Sequence, residues 1–168
     1  MTMKTIDIEI AVSLWFGVRQ HIIVPNVSWG FNGIHELDLA VLTKAGYLSE
    51  VEIKISKSDL KKDKYKKHGH KSKWIKKLWF AVPEKLGEFA LTEIPERSGL
   101  LVIGDNRRVV QVKHPVVNKE CRKLECKDQL AIARLGCMRI TGLKETIRGN
   151  VRNIAELKDM LTKKSPVA

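Results

Sequence analysis

Between Glu36 and Ser56 the chain reads ELDLAVLTKAGYLSEVEIKIS. Leu37, Leu39 and Val41 alternate with Glu36, Asp38 and Ala40, and Val51, Ile53 and Ile55 alternate with Glu50, Glu52 and Lys54. Successive side chains of an extended strand point to opposite faces, so both runs predict strands. Lys44-Ala45-Gly46 between them suits a three-residue hairpin loop with Gly46 in the left-handed conformation. With Thr43 facing Tyr47, Asp38 falls opposite Glu52. Asp38, Glu52 and Lys54 then share one surface of the hairpin, and the Leu, Val and Ile set takes the other.

The flanking segments extend this into a mixed α/β domain. Upstream, IDIEIAVSLWFG (residues 6 to 17) predicts an opening helix that ends near Gly17 and carries Ile6, Ile10 and Leu14 on one face. HIIVPNVSW follows as an extended segment interrupted by Pro25, which points to an edge or a bulge, and it leads into a loop at Gly30 and Gly33. Downstream, Ser56 with Asp59 three positions on marks a helix start, with the helix running to about Lys67. Leu78–Val82, Leu100–Ile103 and Val109–Val112 read as buried strands. Helical patterns follow at Asp128–Met138 and Asn153–Thr162, and Lys163–Ala168 reads as a frayed tail. The expected organisation is a core over residues 1–115 with a helical C-terminal extension, residues 116–168, packed on the same domain.

The 168 residues are 43% hydrophobic, ample for one core, and carry a formal net charge of +12, which calls for a polyanionic partner. No apolar run approaches the roughly 20 residues that cross a bilayer, and Asp7 and Glu9 interrupt the opening apolar stretch as no secretory leader would. A cytoplasmic protein without a membrane partner is expected. Cys121, Cys126 and Cys137 do not have the spacing of a zinc ribbon, even with His114 nearby, and free thiols are the expectation. No G-x-S-x-G, Walker or G-x-G-x-x-G frame is present.

Carboxylates on facing strands repel one another and lose hydration unless something charged binds between them. A divalent cation resolves the conflict, because Mg2+ takes a few carboxylate oxygens and keeps its other positions for water and phosphate. Beside it, Lys54 could orient a water or neutralise charge in the transition state. Asp38 with Glu52-Ile53-Lys54 resembles the PD-(D/E)XK nuclease superfamily, although Leu37 stands where the signature has Pro. The order and spacing of EVEIKISKSDLKKDKY, LWFAVP and SGLLVIGD are similar to the MmcB-like DNA-repair branch, over roughly residues 5 to 105. The resemblance implies a restriction-endonuclease-like core, a mixed central sheet flanked by helices, and Mg2+ (or Mn2+) as cofactor. It implies Asp38, Glu52 and Lys54 as catalytic residues, with Asp38 and Glu52 holding the metal. It further implies an acid from the first helix, for which Glu9 is the best candidate and Asp7 its competitor. Glu36 and Glu50 read as solvated or supporting residues, and His35 as a strand-end residue without a catalytic task.

Lys61 to Lys77 contains nine lysines and one acid, Asp63, and so carries +8 of the net +12. Lys61, Lys62, Lys64, Lys66, Lys67, Lys71 and Lys73, with Trp74 among them as a stacking residue, are the candidate nucleic-acid contacts, and Tyr65, His68 and His70 lie in the same stretch. Lysines touch phosphates with little discrimination between bases, so the binding expected is salt-sensitive and largely independent of sequence, with DNA ranked ahead of RNA. Three readings compete: a Mg-dependent deoxyribonuclease or nuclease-like repair protein, a non-catalytic nucleic-acid-binding module that keeps the fold, and a basic structural RNA-binding protein. They differ in whether Asp38, Glu52 and Lys54 converge.

Overall fold

The hairpin forms with the expected register. In the computed structural model, which describes residues 3–27, 35–63 and 72–164, strands β2 (Leu37–Leu42) and β3 (Leu48–Ile53) pair antiparallel with Leu39 opposite Val51. Thr43 N–H donates to Tyr47 O at 2.9 Å, and Gly46 closes the turn at φ +82°, a conformation glycine adopts without a Cβ clash. Around this pair the chain builds one six-stranded sheet in the order β1-β2-β3-β4-β5-β6. The other strands are β1 (Ile22–Val27), β4 (Ile75–Pro83), β5 (Gly99–Ile103) and β6 (Val109–Lys113). The β3–β4 and β4–β5 pairs are parallel and the rest antiparallel, so the sheet is mixed. Each parallel pair needs a crossover. The first carries α2 (Lys57–Asp63). The second carries a short 3-10 turn (Glu84–Leu86) and α3 (Gly87–Glu93), neither of which the sequence pattern predicts.

Helices cover both faces. On one, Ile8, Ala11 and Val12 of α1 (Thr5–Phe16) pack on Leu39, Val41, Val51, Ile53, Ala81 and Leu101. On the other, Leu60 of α2 and Ala90 of α3 pack on Leu78, Phe80 and Leu100, while Leu124 and Ile132 cover Ala40, Leu42 and Leu48. This packing corrects the expected hairpin face at Leu37, which lies with Ala40 and Leu42 and not with Leu39 and Val41, and all six residues of β3 are buried, acids included. It also corrects the helix face. Ile6, Ile10 and Leu14 are exposed, and the buried side is Ile8, Ala11 and Val12. With apolar residues on nearly every side of α1, sequence periodicity names no face, and the sheet selects one.

Pro25 does sit in an edge strand, where its missing N–H costs no ladder bond. β6 forms the other edge, so it is not the buried strand expected; Val110 and Val112 are exposed. Ser56 caps α2 through Asp59 N–H, which donates to its Oγ at 3.2 Å. The two C-terminal helical patterns merge into one helix, α4 (Cys126–Lys164), of 39 residues. Its first turns pack on β1, with Gly136 against Val24 and Arg139 donating to Asn26 O at 2.6 Å. Beyond Arg139 nearly every described side chain of α4 is exposed. The expected loop at Gly30 and Gly33, the α2 stretch past Asp63, and the tail from Ser165 lie outside the described residues, while Lys163 and Lys164, expected in that tail, belong to α4.

Candidate functional site

Three of the predicted residues meet around one ammonium group. Lys54, buried at the end of β3, places Nζ 2.6 Å from Glu52 Oε2 and 3.9 Å from Asp38 Oδ2. The same nitrogen lies 3.1 Å from Asp63 Oδ1, an acid from the last turn of α2 that no motif marks for this place. Glu52 and Lys54 share a face because they are two residues apart on an extended strand. Asp63 arrives because the crossover between the parallel strands β3 and β4 lays α2 back over the sheet, with Leu60 and Asp63 turned inward.

Asp38 enters by a different route. Backbone pairing of β2 with β3 stops at Leu39 and Val51. Just beyond that pair, Ile53 N–H, two residues past Val51, donates to the carboxylate of Asp38, the neighbour of Leu39, at 2.8 Å. On the other side, Lys54 N–H donates to Ala81 O at 3.0 Å and continues the β3–β4 pairing. The Asp38 side chain is 38% exposed, against 1% for Glu52, so the cluster has a buried floor and one solvent-facing carboxylate.

The electrostatics follow from this packing. Burial disfavours the Lys54 ammonium, yet the hydrogen-bonded Glu52, Asp63 and Asp38 together outweigh it and hold its pKa above the ordinary lysine value. Glu9, on the partly buried side of α1, has its carboxyl pushed above the usual range, first by burial and then by the charge of Asp38. Of the two acids of the first helix, Glu9 is thus the one whose carboxyl responds to the charge of Asp38. Its competitor Asp7 is engaged elsewhere: it accepts from Lys4 N–H at 3.0 Å, capping α1, and from Arg107 at 2.8 Å. Among the described residues no group of three or more His, Cys, Asp or Glu stands close enough together to hold an ion unaided.

The neighbouring acids divide. Glu36 is exposed. Glu50 is fully buried, with Oε1 2.7 Å from His35 Nε2, so it is not solvated, and His35 supports an acid one rung from Glu52. The alternation of the strand placed Glu50 and Glu52 on one face, and that was the signal available for it.

Of the basic segment, Lys61 and Lys62 are exposed on α2 beside the inward Asp63, with Lys57 and Lys61 over the Phe89 ring at 5.1 and 5.9 Å. Lys73 is exposed, and its Nζ lies 5.3 Å over the Trp74 ring. Trp74 itself is half-buried against the core cluster of Leu48 and Ile75, which leaves part of its surface accessible. Lys64, Lys66, Lys67 and Lys71, with Tyr65, His68 and His70, lie outside the described residues. Cys121, Cys126 and Cys137 are free thiols.

The fold is similar to that of a protein of unknown function from Silicibacter pomeroyi, with a TM-score of 0.59 at 18% identity over 88% of this chain and 94% of that one. No family model matches the chain, and no curated protein matches its sequence. Among the described residues no helix is long and apolar enough to cross a membrane.

Proposed function

We propose that this chain is a cytoplasmic, metal-dependent nuclease with a restriction-endonuclease-like core, which hydrolyses phosphodiester bonds in DNA during DNA processing or repair. One observation carries the reading: Asp38, Glu52 and Lys54, chosen for their chemistry, converge within 3.9 Å of Lys54 Nζ, with Glu9 close enough to feel the charge of Asp38.

The donors are all carboxylate oxygens, which suits a hard cation such as Mg2+ or Mn2+. Mg2+ is commonly held by one or two carboxylates and completed by water and substrate phosphate, so it needs no closed acidic cage. Asp38 and Glu52 would hold it, with Glu9 under the charge of Asp38. Such a cation neutralises phosphate charge and acidifies a bound water. Lys54 contributes a permanently charged ammonium, kept protonated by its acidic neighbours, where it can hold the attacking water or offset transition-state charge. Asp63 and Glu52 fix that ammonium in place. Lys61 and Lys62, next in the chain to Asp63, present cations to the phosphate backbone beside the site.

A second reading, a nucleic-acid-binding module without turnover, is favoured by the 2.6 Å Lys54–Glu52 pair, which engages both residues with each other. Incubating the protein with duplex, single-stranded and branched DNA and with RNA, in Mg2+, in Mn2+ and in EDTA, separates the two. Cleavage that EDTA abolishes supports the nuclease. Binding without cleavage of any of these substrates supports the module.

A further inference from the structure

The distal half of α4 carries a sequence pattern that the body of the protein does not use. From Ile140 onward one set of apolar residues falls on an alternation of three and four, Ile140, Leu143, Ile147, then Asn150, then Ile154, Leu157 and Leu161, with Val151 and Met160 lying beside it. That is a heptad repeat, with Ile140, Ile147, Ile154 and Leu161 at one seam position and Leu143, Asn150 and Leu157 at the other. Each of the six apolar members is more than half exposed. The stripe is also continuous with an interface already formed. Ile132, Gly136 and Arg139, which seat α4 on β1, lie on the same side of the helix, and the stripe runs on from them past the edge of the sheet.

We propose that residues 140–161 are a dimerisation stem, in which two copies of this chain pair as a parallel, in-register, two-stranded coiled coil about 30 Å long. Three features select this occupant. The repeat has a period of 3.5 residues, which keeps the seam facing a second helix wound around it, whereas burial on a flat sheet calls for the wider 3.6-residue face. Isoleucine at the first seam position with leucine at the second favours two strands over three or four. Asn150, alone among seam residues in being polar, meets its own counterpart in a parallel, in-register pair, where each amide can donate to the other. An antiparallel pair would set it against an isoleucine and leave the amide unsatisfied.

The charges agree with this choice. Lys144 and Lys158, with Val151 between them, flank the seam on one edge, while Thr146, Asn153 and Met160 flank it on the other. Parallel helices bring the lysine edge against the uncharged edge, and antiparallel helices bring lysine edge against lysine edge. Arg148, Arg152, Glu156 and Asp159 occupy the outer positions. No residue of the Lys54 cluster takes part, so the stem stands apart from the nuclease reading.

The test is the solution mass of the full chain by sedimentation equilibrium, for wild type and for Ile147→Glu/Ile154→Glu. It is joined by oxidative cross-linking of Leu157→Cys in a background with the three native cysteines changed to serine. The expected results are twice the chain mass for wild type, half that for the double variant with the melting of the sheet domain unchanged, and a disulfide-linked dimer through residue 157. A wild type that stays monomeric at every concentration overturns the proposal and leaves the stripe to another partner. A dimer insensitive to the double variant places association elsewhere and overturns it as well. A dimer that Leu157→Cys does not link overturns the parallel register.

Discussion

The backbone N–H of Ile53 donates to the Asp38 carboxylate at 2.8 Å, just beyond the last backbone pair between β2 and β3. A side chain thus does at this point what a neighbouring strand does elsewhere in the hairpin. The hairpin opens at this end, and Asp38 faces solvent with one oxygen committed to the backbone. Replacing Asp38 with Asn keeps an acceptor for Ile53 and removes the charge, so folding should survive while phosphodiester cleavage falls by roughly 100-fold or more. Initial rates in Mg2+ and Mn2+, with a thermal melt of the same sample, check both halves. Undiminished cleavage would remove Asp38 from the site.

Lys54 lies between two buried acids, Glu52 and Asp63. Truncating it to Met leaves both carboxylates without that cation, and breaking a buried pair in this way costs roughly 3–5 kcal/mol. The raised Lys54 pKa means that its contribution is fully present below the ordinary lysine value of 10.5 and is lost only as pH rises through the folded-state value. The deficit of Lys54→Met should therefore be the same at pH 7 and pH 9 in urea titrations. A variant as stable as wild type would mean that the cluster does not hold together in solution.

Glu9 gives the opposite sign. Its folded-state pKa lies above the ordinary 4.5, so the folded protein holds that proton more tightly than the unfolded chain. Its contribution therefore erodes stability as pH rises from 4.5 through the folded-state value. Glu9→Gln should flatten this fall and raise the urea midpoint near neutrality in metal-free buffer. Added Mg2+ should narrow the difference by stabilising the wild type. Identical pH profiles for the two proteins would separate Glu9 from Asp38.

Lys61 and Lys62 project from the helix whose inner side supplies Asp63. If they bind phosphates, Lys61→Gln/Lys62→Gln lowers DNA affinity and reduces the slope of log affinity against log salt by about 0.9 for each phosphate no longer neutralised. Fluorescence anisotropy across a salt series measures this. An unchanged slope would move the binding surface away from α2.

The hairpin and the Glu52–Lys54 pair were legible because both rest on local rules: alternation sets the face, and Gly46 sets the turn. Glu9 required the tertiary fold to choose between two acids, and Asp7 turned out to be tied to Arg107, a hundred residues away. Asp63 was hidden for the same reason. It stands among lysines in the sequence, and only the crossover after β3 turns it inward. The merging of two helical patterns into α4 was obscured by Gly142 and Gly149, each of which weakens a helix by about 1 kcal/mol without ending it.

The position of α1 also orders events in time. α1 precedes the sheet in the chain, and it rests on β3, β4, β5 and β6, burying Ile8 and Val12 against Leu101 and Ile103 and reaching Arg107 through Asp7. Its seat does not exist until β6 has been made. Glu9 comes under the charge of Asp38 only with that docking, because it is carried on α1. A growing chain thus carries Asp38, Glu52 and Lys54 for some time without Glu9 near them, and α1 settles only once the second half of the sheet has emerged.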